Sequence, residues 1–216
     1  VTPPHAGHVD LSMTRRALQG LRAVGAPSDD PALLLGRRFV ATCAAPDGGF
    51  LYSPVELALN KGLRDGERPL SYGSATADGL LALLAAGTGD DAGGAGAADT
   101  RLGDSSRDLV RGAHARLLAL HRVDQNPGLE GGPMALFGPA MRGYSRASSA
   151  AVFVALGGPP EWQERMARAV LAEERAGAAP GEERGGVWQN ESFLQKEDDP
   201  IVATGFALAA LAACLR

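Results

Sequence analysis

The stretch "YGSATADGLLALLAAG", residues 72–87, consists almost entirely of small and aliphatic residues. A helix that is apolar on nearly every side is typical of a buried element with neighbours all round it. Three further stretches align with it without gaps: "LSMTRRALQGLRAVG" (11–25), "YSRASSAAVFVALGG" (144–158) and "PIVATGFALAALAAC" (200–214). The sequence therefore predicts four related, buried inner helices.

The alignment rests on a hydroxyl residue, a small residue three positions later and an aliphatic residue directly after that. The hydroxyl positions are Thr14, Thr76, Ser148 and Thr204. The small positions are Ala17, Gly79, Ala151 and Ala207, and the aliphatic ones are Leu18, Leu80, Val152 and Leu208. Because the spacings are unequal, the pattern indicates a structural repeat with variable loops rather than a tight solenoid.

Amphipathic segments lie between these stretches, at 31–43, 105–122 and 161–175. Each has charges on one face and aliphatic side chains on the other, as outer helices would. The order inner helix, outer helix, loop predicts an all-α fold of about seven helices. We expect a single domain over residues 1–216.

Two glycine-rich, low-complexity stretches are predicted to be flexible surface loops, at 88–104 and 176–186.

Acidic residues before proline mark two helix starts, in "SDDP" (28–31) and "EDDP" (197–200). Asp is a favoured N-cap and Pro a favoured first helical residue, so both sites predict helix caps, as does Asp10.

The composition excludes several classes of function. The net charge is −4 and aromatic residues make up 5%, which disfavours nucleic-acid binding. No apolar run reaches the roughly 18 residues of a membrane span. Cys43 and Cys214 lack metal-ligand spacing, and a disulfide between them is left open. His114 and His121, seven residues apart, have no third ligand, so we predict neither a metal nor a cofactor.

The motifs "CAAPDGGF" (43–50) and "GGVWQN" (185–190) resemble the glycine–aromatic ends of the QW-type repeats of the terpenoid cyclase and protein prenyltransferase superfamily. In their order along the chain, these motifs and the inner-helix stretches resemble bacterial prenyltransferase/squalene-oxidase-repeat proteins. The resemblance implies an α/α toroid, in which inner helices ring a central cavity and outer helices wrap them. It also implies an isoprenoid or other lipid as the ligand.

The chain departs from that family in two ways. Ala44 and Arg175 stand where the repeats have a glutamine. The helices predicted here also supply only about half of a complete toroid. Further N-terminal repeats or another protein chain are therefore expected to complete the ring.

The chain begins at Val1 rather than Met, from which we expect a processed or longer N-terminus. High Ala, Gly and Arg content indicates a bacterial gene and leaves the choice between cytoplasm and periplasm open.

Class II terpene cyclases protonate an alkene or epoxide with an Asp, and "KEDD" (196–199) is the nearest match to their acidic motif. Asp198 and Asp199 are therefore the candidate catalytic acids, although Lys196 replaces the first acid and helix capping is the favoured interpretation. The remaining candidates are predicted to line a cavity. They are Tyr72 and Tyr144 at the starts of inner helices, Asp78 inside an apolar helix, and the anchors Thr76 and Thr204.

Two functions follow from these observations. The first is a non-catalytic module, which acts either as a structural subunit of an assembly or as a binder of a hydrophobic, isoprenoid-like ligand. The second is a class II terpene cyclase-like or prenyl-transferring enzyme that acts on an isoprenoid in the central cavity. The missing acidic and zinc-ligand motifs favour the first.

Overall fold

The computed structural model describes residues 9–87, 97–177 and 185–216, and most of these residues are helical. The helices are α1 (Leu11–Ala23), α2 (Pro31–Thr42), α3 (Gly73–Ala86), α4 (Ala97–Leu120), α5 (Phe137–Ala140), α6 (Arg142–Leu156), α7 (Trp162–Leu171) and α8 (Pro200–Cys214). Two small antiparallel hairpins pair β1 (Arg64–Asp65) with β2 (Arg68–Pro69), and β3 (Arg175–Gly177) with β4 (Gly185–Val187). The predicted all-α class is confirmed.

The helices form two layers. In the inner layer α1, α3, α6 and α8 stand in a row, each packed against the next. In the outer layer α2 packs against α1 and α3, α4 against α3, and α7 against α8. This is the alternation of inner and outer helices that the sequence predicts. The toroid remains a prediction, because these contacts define a row and not its closure into a ring.

Burial of the inner helices depends on their place in the row. Helix α3 lies inside the row, and all its residues except Leu84 and Ala85 are buried. Helix α8 has one flank without a helical neighbour among the described residues, and only four alanines of α8 are buried. The expectation that every inner helix is buried all round is therefore correct for α3 and wrong for α8.

The predicted helix caps are confirmed at three helices. The Asp10 carboxylate accepts the Met13 backbone N–H at 2.7 Å at the start of α1. At α2 and α8, Asp30 and Asp199 each accept the N–H two residues later at 2.8 Å. A proline is the first helical residue in both. These carboxylates pair with N–H groups that have no partner inside the helix and lie at the positive end of its dipole.

The glycine–aromatic motifs attach to the inner helices in the same way. The Phe50 backbone N–H donates to the Thr76 hydroxyl at 3.3 Å, and the Trp188 N–H donates to the Thr204 hydroxyl at 3.1 Å. Each motif also closes a hairpin, through the bridge between Ala44 and Phe50 or the β3–β4 pair. Thr76 and Thr204 are thus equivalent anchors of the structural repeat.

The structure differs from the predicted loop boundaries. Helix α4 begins at Ala97, so residues 97–104 are helical rather than part of a loop. The alanines at its start have the highest intrinsic helix propensity, which the loop prediction underweighted. Residues 176–177 and 185–186 belong to the β3–β4 pair. The rest of the two predicted loops, 88–96 and 178–184, lies outside the described residues.

Candidate functional site

A cavity of about 310 Å³ lies near the N-terminal ends of the four inner helices. The chain contains three tyrosines, and all three line this cavity. The lining residues come from every inner helix and from the loops that precede α3 and α8. They are Ser12, Met13, Arg16, Tyr52, Lys61, Tyr72, Ser74, Met141, Tyr144, Gln195, Glu197 and Phe206.

Asp78 of α3 joins three inner helices below this cavity. Its carboxylate accepts the Ser12 hydroxyl at 2.5 Å and an Arg15 guanidinium N–H at 2.6 Å, both from α1. It also accepts the Tyr144 hydroxyl of α6 at 2.7 Å. The side chain is 1% exposed. A buried carboxylate is tolerated only when it is paired, and Asp78 is paired by both charge and hydrogen bonds.

Arg15 extends this junction, because the same guanidinium nitrogen donates to the Ser148 hydroxyl of α6 at 2.9 Å. Sequence reasoning missed Arg15, although the signal was present. It lies between Leu11 and Leu18 on the buried face of α1, where an arginine needs a buried partner. The anchor Ser148 of α6 thus contacts a side chain of α1, which lies on the other side of α3 in the row, whereas Thr76 and Thr204 hold hairpins.

The Tyr144 hydroxyl is a hydrogen-bond donor to the Asp78 carboxylate. Burial and then the neighbouring Asp78 carboxylate raise the pKa of Tyr144 and of Tyr72. Burial and the nearby Asp10 carboxylate raise the pKa of Tyr52. The phenols therefore stay protonated at neutral pH. The structure places Tyr72 and Tyr144 at the cavity wall, and Tyr52 joins them without having been singled out in the sequence.

Thr76 and Thr204 are not among the residues that line this cavity. Their hydroxyls accept the Phe50 and Trp188 N–H groups described above, so their observed contacts are structural.

Asp198 and Asp199 do not line the cavity either. Asp199 is exposed and caps α8. Asp198 is half-buried, and its main-chain carbonyl accepts the Gln189 side-chain amide at 2.8 Å. Its carboxylate oxygen Oδ1 is buried and has no hydrogen-bond partner among the described residues. The acidic run therefore places neither of these side chains where a cavity ligand would be protonated.

The acid of this run that reaches the cavity is Glu197. Its carboxylate accepts the backbone N–H groups of Gly143 and Tyr144, each at 2.9 Å, in the first turn of α6. The Asn190 side-chain amide donates to it at 3.2 Å. Burial raises the pKa of Glu197, and these three donors oppose that shift. Glu197 thus caps α6 from a distant segment, a contact for which the local sequence holds no signal.

Lys61 brings a positive charge to the cavity wall. Its ammonium nitrogen Nζ lies 5.1 Å from the centre of the Tyr52 ring and 5.5 Å from that of Phe137, within range for cation–π attraction. Burial lowers the pKa of Lys61, and the Asp10 carboxylate partly offsets this effect. Sequence reasoning missed this residue. The available signal was its rarity, since Lys61 is one of only two lysines in the chain.

The remaining sequence candidates have structural contacts. The His114 ring nitrogen Nε2 lies 2.7 Å from the Gly157 carbonyl, and the His121 ring packs edge-on against Phe153. Cys43 and Cys214 are free thiols. In the described ranges, no three His, Cys, Asp or Glu side chains are grouped to hold a metal ion. None of the helices described has the length and apolar character needed to cross a membrane.

No protein-family model matches this chain, and neither a curated protein nor a solved structure matches it.

Proposed function

We propose that this protein binds an apolar, isoprenoid-like small molecule in the cavity between its inner helices, and that it does so without catalysis. The observation that carries the proposal is the convergence of all three tyrosines on one cavity of about 310 Å³. Phe206 and two methionines complete the apolar part of the wall, and polar or charged residues make up the other half of the lining. Such a combination is typical of small-molecule sites. The motif resemblance to isoprenoid-handling proteins supports the same ligand class.

The engagement of the nearby acids supports binding rather than acid catalysis. A general acid must present a proton within hydrogen-bond reach of its substrate. Asp78 is ion-paired with Arg15, and Glu197 accepts three N–H groups. Asp198 and Asp199 lie outside the cavity wall. Each of these carboxylates therefore acts as an acceptor within the fold or lies away from the ligand position.

Ligand binding in the cavity can be tested by introducing a larger side chain that occupies part of the cavity. Met13 lines the cavity and is 67% exposed, so Met13→Trp adds bulk there at little cost to the fold. Leu35→Trp, at a 64% exposed position of α2 outside the cavity, is the matched control. The probe is the neutral fluorophore N-phenyl-1-naphthylamine. We expect saturable binding to the unsubstituted protein and to Leu35→Trp, and about tenfold weaker binding to Met13→Trp.

Equal affinities of the two tryptophan variants would place the probe elsewhere on the surface. The absence of saturable binding by the unsubstituted protein would overturn the proposal outright.

The exposed face of α8 favours a second candidate, a structural subunit in an assembly. Ile201, Leu208 and Leu215 are 84%, 54% and 90% exposed. A groove of about 330 Å³ beside them is lined by alanines of α6 and α8, by Val154 and by Arg216. Contiguous apolar surface of this kind marks protein interfaces. Under this proposal an apolar helix of another protein chain packs there.

Native mass spectrometry of the protein purified from its source tests the assembly. We expect the additional mass of a second polypeptide, which is lost in Leu208→Glu. A lone chain in the unsubstituted protein would remove this candidate and leave the cavity proposal unaffected.

A further inference from the structure

Resting on the proposed function, we infer that the cavity ligand carries a carboxylate headgroup that binds the ammonium group of Lys61. The ligand is then an amphipathic acid. Its apolar body lies against the aromatic wall, and its carboxylate forms an ion pair with Lys61. The charged groups around the cavity differ in whether they already have a hydrogen-bonding or ionic partner.

Three carboxylates at or near the cavity already accept hydrogen bonds or form an ion pair within the fold. Asp10 caps α1 through the Met13 N–H and lies close enough to Tyr52 to raise the pKa of that residue. Asp78 pairs with Arg15, and Glu197 accepts N–H groups from the first turn of α6. None of these three forms an ion pair with Lys61 in the described part of the chain. The negative charge around the cavity is thus used to join and cap helices.

The ammonium group of Lys61, by contrast, contacts only aromatic rings, and the Asp10 carboxylate attracts it from beyond ion-pair distance. The ammonium group lies near the Tyr52 and Phe137 rings, and among the described residues it has neither a hydrogen bond nor an ion pair. Three N–H donors on a partly desolvated ammonium group remain available to an acceptor in the cavity. An ammonium group removed from water is costly unless it is paired, so a bound anion would offset that cost.

The balance of charge selects a carboxylate over a phosphate monoester. Lys61 supplies one half-buried positive charge, and the other cation of the wall, Arg16, is exposed. Glu197 adds a negative charge to the same wall, and the Asp10 carboxylate adds a second one close enough to attract Lys61. A singly charged headgroup matches one ammonium group, whereas a doubly charged one would face Glu197 with its second charge uncompensated.

The test uses three compounds with the same apolar chain: dodecanoate, dodecanol and dodecyl phosphate. Each displaces N-phenyl-1-naphthylamine from the full chain at neutral pH, below its critical micelle concentration. We expect dodecanoate to bind about tenfold more tightly than dodecanol, the effect of one charge-assisted hydrogen bond, and more tightly than dodecyl phosphate.

Three variants assign this preference to a residue. Lys61→Met keeps an unbranched apolar side chain and removes the charge, so dodecanoate and dodecanol should then bind equally. Lys61→Arg keeps the charge and should keep the preference for the acid. Arg68→Met removes an exposed charge from the neighbouring hairpin and serves as the matched control, with no change expected.

The outcomes separate this inference from the proposal beneath it. If the unsubstituted protein binds dodecanol as tightly as dodecanoate, the carboxylate is wrong and the apolar cavity stands. Tighter binding of dodecyl phosphate overturns the choice of headgroup. A preference for the acid that persists in Lys61→Met overturns the role of Lys61. If the naphthylamine probe itself does not bind, the proposed function fails. The comparison of compounds on the unsubstituted protein does not depend on the folding of any variant.

Discussion

Helices α3 and α8 are both composed mainly of Ala and Leu and share the same repeat positions, yet the fold buries them to very different degrees. Helix α3 packs against α1 and α6 in its own layer and against α2 and α4 behind it. Helix α8 packs against α6 and α7, and its remaining face includes the exposed Leu208. The comparison shows that the repeat pattern specifies a helix and its layer, whereas the place in the row decides its burial.

The largest expected effect separates the two helices at their matched aliphatic position. Leu80→Ala in α3 removes a completely buried side chain, and we expect the free energy of unfolding to fall by about 2–5 kcal/mol. Leu208→Ala in α8 removes a side chain that is mostly in water, and we expect a change within about 0.5 kcal/mol. Urea unfolding followed by circular dichroism measures both. A large loss at Leu208 would show that this face is covered in solution.

A second pair compares glycines. A β-carbon at Gly79 of α3 would overlap the buried Phe50 ring, so Gly79→Ala should lower the free energy of unfolding by about 1–3 kcal/mol. A β-carbon at Gly205 of α8 meets no other atom, so Gly205→Ala should raise that free energy by about 0.5–1 kcal/mol. The same unfolding measurement gives both values. Changes of the same sign would contradict the assigned packing of the two helices.

The smallest expected difference concerns the two hairpin anchors. Thr76→Val removes a fully buried acceptor and leaves the Phe50 N–H without its partner, at a cost of about 1–3 kcal/mol in the free energy of unfolding. Thr204 is half-buried, so water can replace its hydroxyl, and Thr204→Val should cost about 1 kcal/mol or less. Hydrogen exchange of the Phe50 and Trp188 amides provides a local readout. Unchanged exchange at both amides would rule out the anchor role.

Much of this fold could be predicted from local signals. Aspartates before helices predicted the caps, because capping needs only a carboxylate near the first N–H groups. Periodic apolar residues predicted the inner and outer helices. The predicted start of α4 was wrong, because the low complexity of the preceding stretch was given more weight than the high helix propensity of its alanines. The prediction that α8 is buried on all sides was also wrong, because composition does not indicate which helix stands at the end of the row.

The candidate site was predictable only in part, for a related reason. Tyr72 and Tyr144 were identified because they stand at the starts of inner helices. Asp78 was identified because a carboxylate is unusual inside an apolar stretch, and it lies in the junction with Arg15 rather than in the cavity wall. Glu197 and Lys61 act on segments far from them in the chain, so their partners are fixed only by the tertiary structure. Glu197 sits beside the two aspartates that were chosen instead. Its role depends on the approach of α6, which no pattern around residue 197 records.

The hairpin contacts also indicate where new chain ends can be introduced in a circular permutant without dividing a repeat unit. In both complete cases an outer helix, a hairpin and an inner helix follow one another, and the hydrogen bond from hairpin to hydroxyl stays within that unit. Two of the glycines that follow inner helices, Gly25 after α1 and Gly157 after α6, are exposed and have positive φ. A circular permutant opened at either glycine would leave every unit whole. One opened between Trp188 and Thr204 would divide a unit and separate a donor from its acceptor.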